Sequence, residues 1–306
     1  MRYGLRRGAT MTAPQIRAFF DEPTKTVTYL VWDPATRRGV VIDAVRDFDA
    51  ASGAVGSRSV DMVLEAAAAE GVRVEWALET HVHADHLSGA PLVKARTGAL
   101  IAIGEKVCDV QAALGPMFGV EFPVSGCGDF DRLLADGDRL EVGEMTIEVL
   151  HVPGHTPADV AYRIGDAAFV GDTLFMPDFG TARTDFPGGC AHQLYRSIRR
   201  LLDLPPETRL FLCHDYKAPG RDQYAWETTV AAQRAANKHV HDGVCEEDFV
   251  AMRQARDAEL PAPALLMPAI QCNIRAGRLP AADADGMRHL RVPLSLQAGS
   301  SPDALD

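Results

Sequence analysis

Apolar and polar positions along this chain alternate between short β-type runs and helical ones, punctuated by Gly, Pro and Asp. Residues 26–32, TVTYLVW, are β-branched, aromatic or apolar and predict a strand. Turn chemistry over 33–39 leads to a second strand at 39–43. A helical pattern over 62–70 follows, with Ser59 as a candidate N-cap and Gly71 as its stop. The run 72–78 reads as a strand, 91–97 as a helix, 100–103 as a short buried strand and 115–131 as loop. Hairpins are predicted at 139–142 with 145–150 and at 160–164 with 167–170. A helix over 191–202, a strand over 209–213 and helical patterns broken by Pro from 228 onward complete the pass. Mixed hairpins and strand–helix units imply an α/β sandwich with sheets inside and helices outside.

Composition adds bounds. A chain of 306 residues, 47% hydrophobic and 24% charged, fits a soluble protein with a substantial core. Residues 1–10 carry three arginines and no apolar stretch, so they read as an N-terminal extension, with Met11 as an alternative start. Residues 11–306 are expected to form a single domain that includes a C-terminal helical tail. The net charge of −11 argues against nucleic-acid and membrane-surface partners. Six cysteines without a Cys-x-x-Cys pair read as reduced thiols, hence a cytoplasmic location.

The candidate chemistry is concentrated in Thr80-His81-Val82-His83-Ala84-Asp85-His86, directly after the 72–78 strand. Imidazole and carboxylate are the donors that hold zinc, iron or manganese. Further donors recur at strand ends: His155 in the turn His151-Val152-Pro153-Gly154-His155-Thr156-Pro157, Asp172 after Phe169-Val170-Gly171, and His214 after Phe211-Leu212-Cys213. One such residue would be a cap or a satisfied core group; four strand ends together point to a metal site.

The series His81, His83, Asp85, His86, His155, Asp172, His214 resembles the metallo-β-lactamase superfamily in residue type, order and strand context. That resemblance implies a four-layer αβ/βα sandwich of the metallo-β-lactamase type, with metal at one edge between the sheets. The acidic balance disfavours the nuclease members, and His83 stands where flavin-linked members carry Glu. Two chemistries remain: a glyoxalase-II-like hydroxyacylglutathione thioester hydrolase with two zincs, and a persulfide dioxygenase with one iron. The run Arg183-Thr184-Asp185-Phe186, followed by Gly189-Cys190, is similar to the persulfide dioxygenases, as are His214-Asp215-Tyr216 and Gln271-Cys272-Asn273-Ile274-Arg275-Ala276-Gly277. Ala182 departs from the Gly common in that family.

The dioxygenase resemblance implies one Fe(II) per chain on His81, His155 and Asp172, a 2-His-1-carboxylate set that leaves open positions for sulfur and O2. It implies glutathione persulfide and O2 as partners, sulfite and glutathione as products, a role in sulfide detoxification, and a homodimer. His83, Asp85, His86 and His214 then either support the iron ligands or hold a second metal, with zinc as the alternative ion. Asp215, Tyr216 and Arg183 are the catalytic candidates; Arg183, Tyr216, Lys217 and Arg275 are the candidates for contacting glutathione. Arg183 has a structural alternative, an ion pair with Asp185; Tyr216 has simple packing, and Lys217 and Arg275 have solvated charge. His151 reads as a strand-end residue, and His192, His239, His241 and His289 as surface. Cys190 reads as a small packing residue, the one thiol whose reactivity is open to test.

Overall fold

The computed structural model describes residues 13–120 and 128–294. The expected extension, Cys127 and part of the expected 115–131 loop lie outside the described residues. In chain order the strands are β1 (Gln15–Asp21), β2 (Thr26–Trp32), β3 (Arg38–Ile42), β4 (Val45–Arg46), β5 (Arg73–Leu78), β6 (Leu87–Ser88) and β7 (Leu100–Gly104). They continue as β8 (Arg132–Leu134), β9 (Arg139–Val142), β10 (Met145–His151), β11 (Val160–Ile164), β12 (Ala167–Phe169), β13 (Arg209–Phe211) and β14 (Glu227–Thr229). The helices are α1 (Arg58–Ala69), α2 (Ala90–Thr97), α3 (Val107–Leu114), α4 (Ala191–Leu202), α5 (Val230–Ala236), α6 (Glu246–Asp257) and α7 (Leu266–Asn273).

Among the described residues the strands form two six-stranded sheets, ordered β1-β2-β3-β5-β7-β8 and β14-β13-β12-β11-β10-β9, and a small β4-β6 ribbon. β3, β5, β7 and β8 run parallel, as do β12 and β13; the remaining pairs in these sheets are antiparallel. β2 is buried at every position because both faces of its sheet are covered. Between the sheets Tyr29, Ile42 and Leu78 meet Ile147, Tyr162 and Phe169, with the Tyr29 ring edge-on to Phe169 at 5.1 Å. Val60, Val93 and Ile270 belong to the core on the outer face of the first sheet, and Leu194, Ile198 and Phe249 to that on the second. The chain is thus the expected four-layer αβ/βα sandwich. No helix among the described residues is long and apolar enough to cross a membrane.

Local differences have local causes. α1 starts at Arg58 with Ser57 at the cap position; Ser59 lies inside the helix and donates to Asp47. Gly71 takes φ +66° and ends the helix as expected. β1 and α3 were not among the expected elements; β4 and β6, with two residues each, are too short to stand out in the sequence. Cys190, Cys213, Cys245 and Cys272 are free thiols, whereas Cys108 is disulfide-bonded, against the expectation of reduced cysteines throughout.

Candidate metal centre

The carboxyl ends of β5, β12 and β13 open on one edge of the sandwich, where loops can approach one another without disturbing the sheets. Tyr162 Oη donates to the Glu79 carbonyl at 2.7 Å and Val160 N to the Thr80 carbonyl at 2.9 Å, so the two sheets are stitched at this edge. Two glycines let the donor-bearing turns close in. Gly154 adopts φ +144°, and a Cβ there would sit 2.3 Å from the Leu194 backbone nitrogen; only Gly allows the turn to rest on α4 and present His155. Gly171 adopts φ +52°, and its Cβ would fall 2.7 Å from Thr80 Oγ1, so Asp172 reaches the β5 loop only because that side chain is absent.

His81, His155 and Asp172 form one group, each offering a ligand atom within 4.8 Å of the others. Asp172 Oδ2 lies 3.8 Å from His81 Nε2 and 3.6 Å from His155 Nε2. Both rings have the opposite nitrogen tied down. His155 Nδ1 donates to the Arg183 carbonyl at 2.8 Å. His81 Nδ1 donates to Thr80 Oγ1 at 2.9 Å, and that hydroxyl donates to Asp43 Oδ2 at 2.9 Å. Such contacts fix the tautomer, leaving Nε2 as a bare donor. Burial, then the neighbouring His83 and His155, hold the His81 ring well below its ordinary pKa, so it stays neutral.

His83, Asp85, His86 and His214 form the second group at the same spacing. His214 Nδ1 faces the Lys25 carbonyl at 3.2 Å, and His214 Nε2 lies 3.1 Å from Asp85 Oδ2 and 3.4 Å from Asp172 Oδ1. His83 Nε2 is 3.1 Å from both Asp43 Oδ1 and Glu79 Oε2. Burial opposes charge on that ring most strongly, but the two carboxylates overturn it and hold its pKa well above the ordinary value. Asn273 at the end of α7 donates to the carbonyls of His83 and His86 at 2.8 and 2.7 Å, latching the loop from behind. Neither Asp43 nor Asn273 was legible as a site residue, because each acts through a partner distant in sequence; Glu79, only four residues before His83, was missed as well.

Metal fits these residues. His83 Nδ1, Asp85 Oδ2, His86 Nε2, Asp172 Oδ1 and His214 Nε2 are all buried without a hydrogen-bond partner. Several buried donor atoms facing one point are costly unless a cation satisfies them.

A cavity of about 440 Å3 opens over the first group, lined by Asp85, His155 and Asp172 on its floor and by Phe179, Arg183 and Tyr216 on its walls. The imidazoles of His83, His86 and His214 do not line it. Arg183 does, but its guanidinium is engaged by Asp185 through bonds of 2.6 and 2.7 Å and by the Pro261 carbonyl. Tyr216, 42% exposed, stacks on His214 with ring centroids 5.5 Å apart. Three of the expected residues lie away from the cavity lining. Asp215 is not in the cavity lining: both its oxygens take Arg221, at 2.5 and 2.7 Å, and it also accepts from the Lys217 and Ala225 backbone. Lys217 instead lies 4.2 Å from the Tyr224 ring centroid, and Arg275 lines neither this cavity nor the apolar one beside it. His239, expected at the surface, is only 7% exposed, lines the cavity and accepts from Thr181 N at 3.1 Å. The other expectations for histidines agree with the structure: His151 ends β10, and His192, His241 and His289 are exposed.

The metallo-beta-lactamase superfamily profile matches residues 21–214. A probable metallo-hydrolase of Burkholderia pseudomallei is 51% identical over 292 residues, covering 91% of this chain and 98% of that protein. Glyoxylase B2 of Dictyostelium discoideum is 40% identical over 285 residues, covering 92% and 97%. The mitochondrial persulfide dioxygenase ETHE1 of Homo sapiens is 29% identical over 274 residues, covering 89% and 92%. The crystal structure of ETHE1 from Myxococcus xanthus superposes with a TM-score of 0.69 at 32% identity, covering 86% of this chain and all of that one. With the fold, the donor series and these likenesses in agreement, the chain belongs to the metallo-β-lactamase superfamily.

Proposed function

We propose that this chain is a glutathione-dependent persulfide dioxygenase carrying one non-haem Fe(II) on His81, His155 and Asp172. One glutathione persulfide, one O2 and one water give glutathione, sulfite and two protons; the terminal sulfur is oxidised and O2 is reduced. The observation that carries this reading is the difference in access: the cavity reaches His155 and Asp172 of the first group, with His81 buried beside them, while of the second group only the Asp85 carboxylate reaches it and all three imidazoles stay sealed. Three protein donors, two of them at the cavity floor, would leave open positions on a metal for further ligands. Bound iron would supply the redox chemistry. The chain's own residues orient and exclude. Thr80 Oγ1 and the Arg183 carbonyl hold the two imidazoles in one tautomer. Phe179, Phe186 and Tyr216 wall the cavity and limit water. The likeness to proteins named ETHE1 supports the same reading.

A second reading, a dinuclear zinc thioester hydrolase, is favoured by the unpartnered donor atoms of the second group and by the relative named glyoxylase B2. Metal analysis of anaerobically purified protein separates the two. One iron per chain, with O2 uptake on glutathione persulfide that collapses in His155→Ala, is the expected result. Two zincs per chain and ready hydrolysis of an acylglutathione without O2 uptake would replace the dioxygenase reading with the hydrolase.

A further inference from the structure

A second cavity, of about 290 Å3, adjoins the one over the metal donors and shares Ala84, His155, Arg183 and Phe186 with it. The partition is the Phe186 ring, which stands edge-on to His155 with centroids 5.1 Å apart and has the Arg183 guanidinium 5.4 Å from its centre. Beyond Phe186 the lining side chains are mainly apolar. Val110 and Leu114 of α3, Phe118 just after it, and Leu266, Met267 and Ile270 of α7 make most of the wall. The charged side chains that touch it, Arg183 and Asp185, neutralise each other through their paired bonds. A peptide-like thiol carrier with two carboxylates gains nothing from such a wall. The space would hold roughly ten waters, and waters there would find few polar partners.

We propose that this arm receives a hydrocarbon group carried on the reacting sulfur, so that the chain accepts apolar organic persulfides, R–S–SH with R an alkyl chain of several carbons. The inference rests on the dioxygenase reading for its reaction. One R–S–SH, one O2 and one water give R–SH, sulfite and two protons: the S–S bond breaks, the terminal sulfur is oxidised, and O2 is the oxidant. Continuity with the donor floor at His155 sets the direction. A sulfur placed over His155 and Asp172 puts its substituent against Phe186, and the apolar arm lies directly behind.

Anaerobic calorimetric titration of the iron-loaded protein with straight-chain alkanethiols, from ethanethiol to octanethiol, reads the arm without turnover. Affinity should rise about fourfold per added methylene until the arm is full. Ala262→Phe, at an exposed position of the lining, should end that gain at a shorter chain, and Met267→Ala should extend it to a longer one. Affinity independent of chain length, or the same dependence in both variants, overturns the inference. In turnover, the KM for hexyl persulfide in an O2-uptake assay should lie below that for ethyl persulfide. Equal KM values would overturn the inference and leave the function standing if glutathione persulfide still consumed O2. If no persulfide consumed O2, glutathione's included, the function itself fails and takes the substrate assignment with it.

Discussion

The two donor groups share Asp172, one oxygen facing each, yet they are held by different parts of the molecule. Supports for the first come partly from late in the chain. The Arg183 carbonyl fixes His155, and the next residue, Thr184, is held through both its amide and its hydroxyl by Asp257 of α6. Asp257 is in turn paired with Arg253 at 2.7 Å, both nearly buried, and Arg253 also donates to the Thr181 carbonyl. The second group is held by the strand framework and α7, through Lys25, Thr26, Asp43, Glu79 and Asn273. His155, the one donor imidazole that faces the cavity, thus depends on a loop that can differ between relatives without disturbing the sheets, while the buried imidazoles are fixed to the scaffold. Access and adjustability meet at His155.

Asp172→Ala should have the largest effect, because it removes an oxygen from both groups at once: metal content and O2 uptake should fall to background together. Retention of iron with full uptake would dissolve the comparison. Asp257→Ala comes next. Removing one member of a buried ion pair costs about 3–5 kcal/mol, and here it also frees Thr184. Urea unfolding should show a loss of that order, and competition with a chelator should show weaker iron binding. Unchanged iron affinity in the folded variant would mean that α6 does not hold the first group.

The second group is tested by His214→Ala and Glu79→Gln. As supports of a single iron site, each should lower iron affinity or activity about 10–100-fold while one iron per chain remains attainable at saturation. A drop from two metals to one in His214→Ala would instead make the groups equal partners and bring the hydrolase forward.

What could be read from the chain divides along the same line. Every donor of both groups was visible, because His and Asp at the ends of apolar runs leave a local signal: Phe169-Val170-Gly171-Asp172 needs no partner to be noticed. The supports were not. Asp43 ends an ordinary strand, Asn273 ends a helix, and Asp257 looks like any acid on α6; each acquires its role only when a partner from far along the chain arrives. Asp215 misled for the complementary reason. It stands beside His214 in sequence, but its carboxylate turns to Arg221, which the sequence does not mark. The sandwich itself was legible from strand–helix periodicity plus the family resemblance, and the strands that escaped include the shortest, β4 and β6, with two residues each, too few to leave a period.

His239 gives the smallest effect near neutral pH and bears on the loop side of the comparison. Burial, then the positive charges of Arg253, Arg256 and Lys238, push its pKa down to about 3. Its Nδ1 accepts from Thr181 N, so the folded loop needs the ring neutral. An ordinary histidine takes its proton near pH 6.5. Between about pH 6.5 and 3 the unfolded chain therefore binds a proton that the folded one refuses, and stability falls as the pH falls. The contribution is fully present above pH 6.5, and the loss is complete below about 3. His239→Asn keeps an acceptor near Nδ1 and removes the titration. In urea unfolding at a series of pH values, the variant should lose less stability than the parent on acidification, the difference opening below pH 6.5. Parallel curves for the two proteins would show that His239 does not resist protonation, and the pH dependence of the loop would then have to come from its other holds, Asp257 and Arg253 among them.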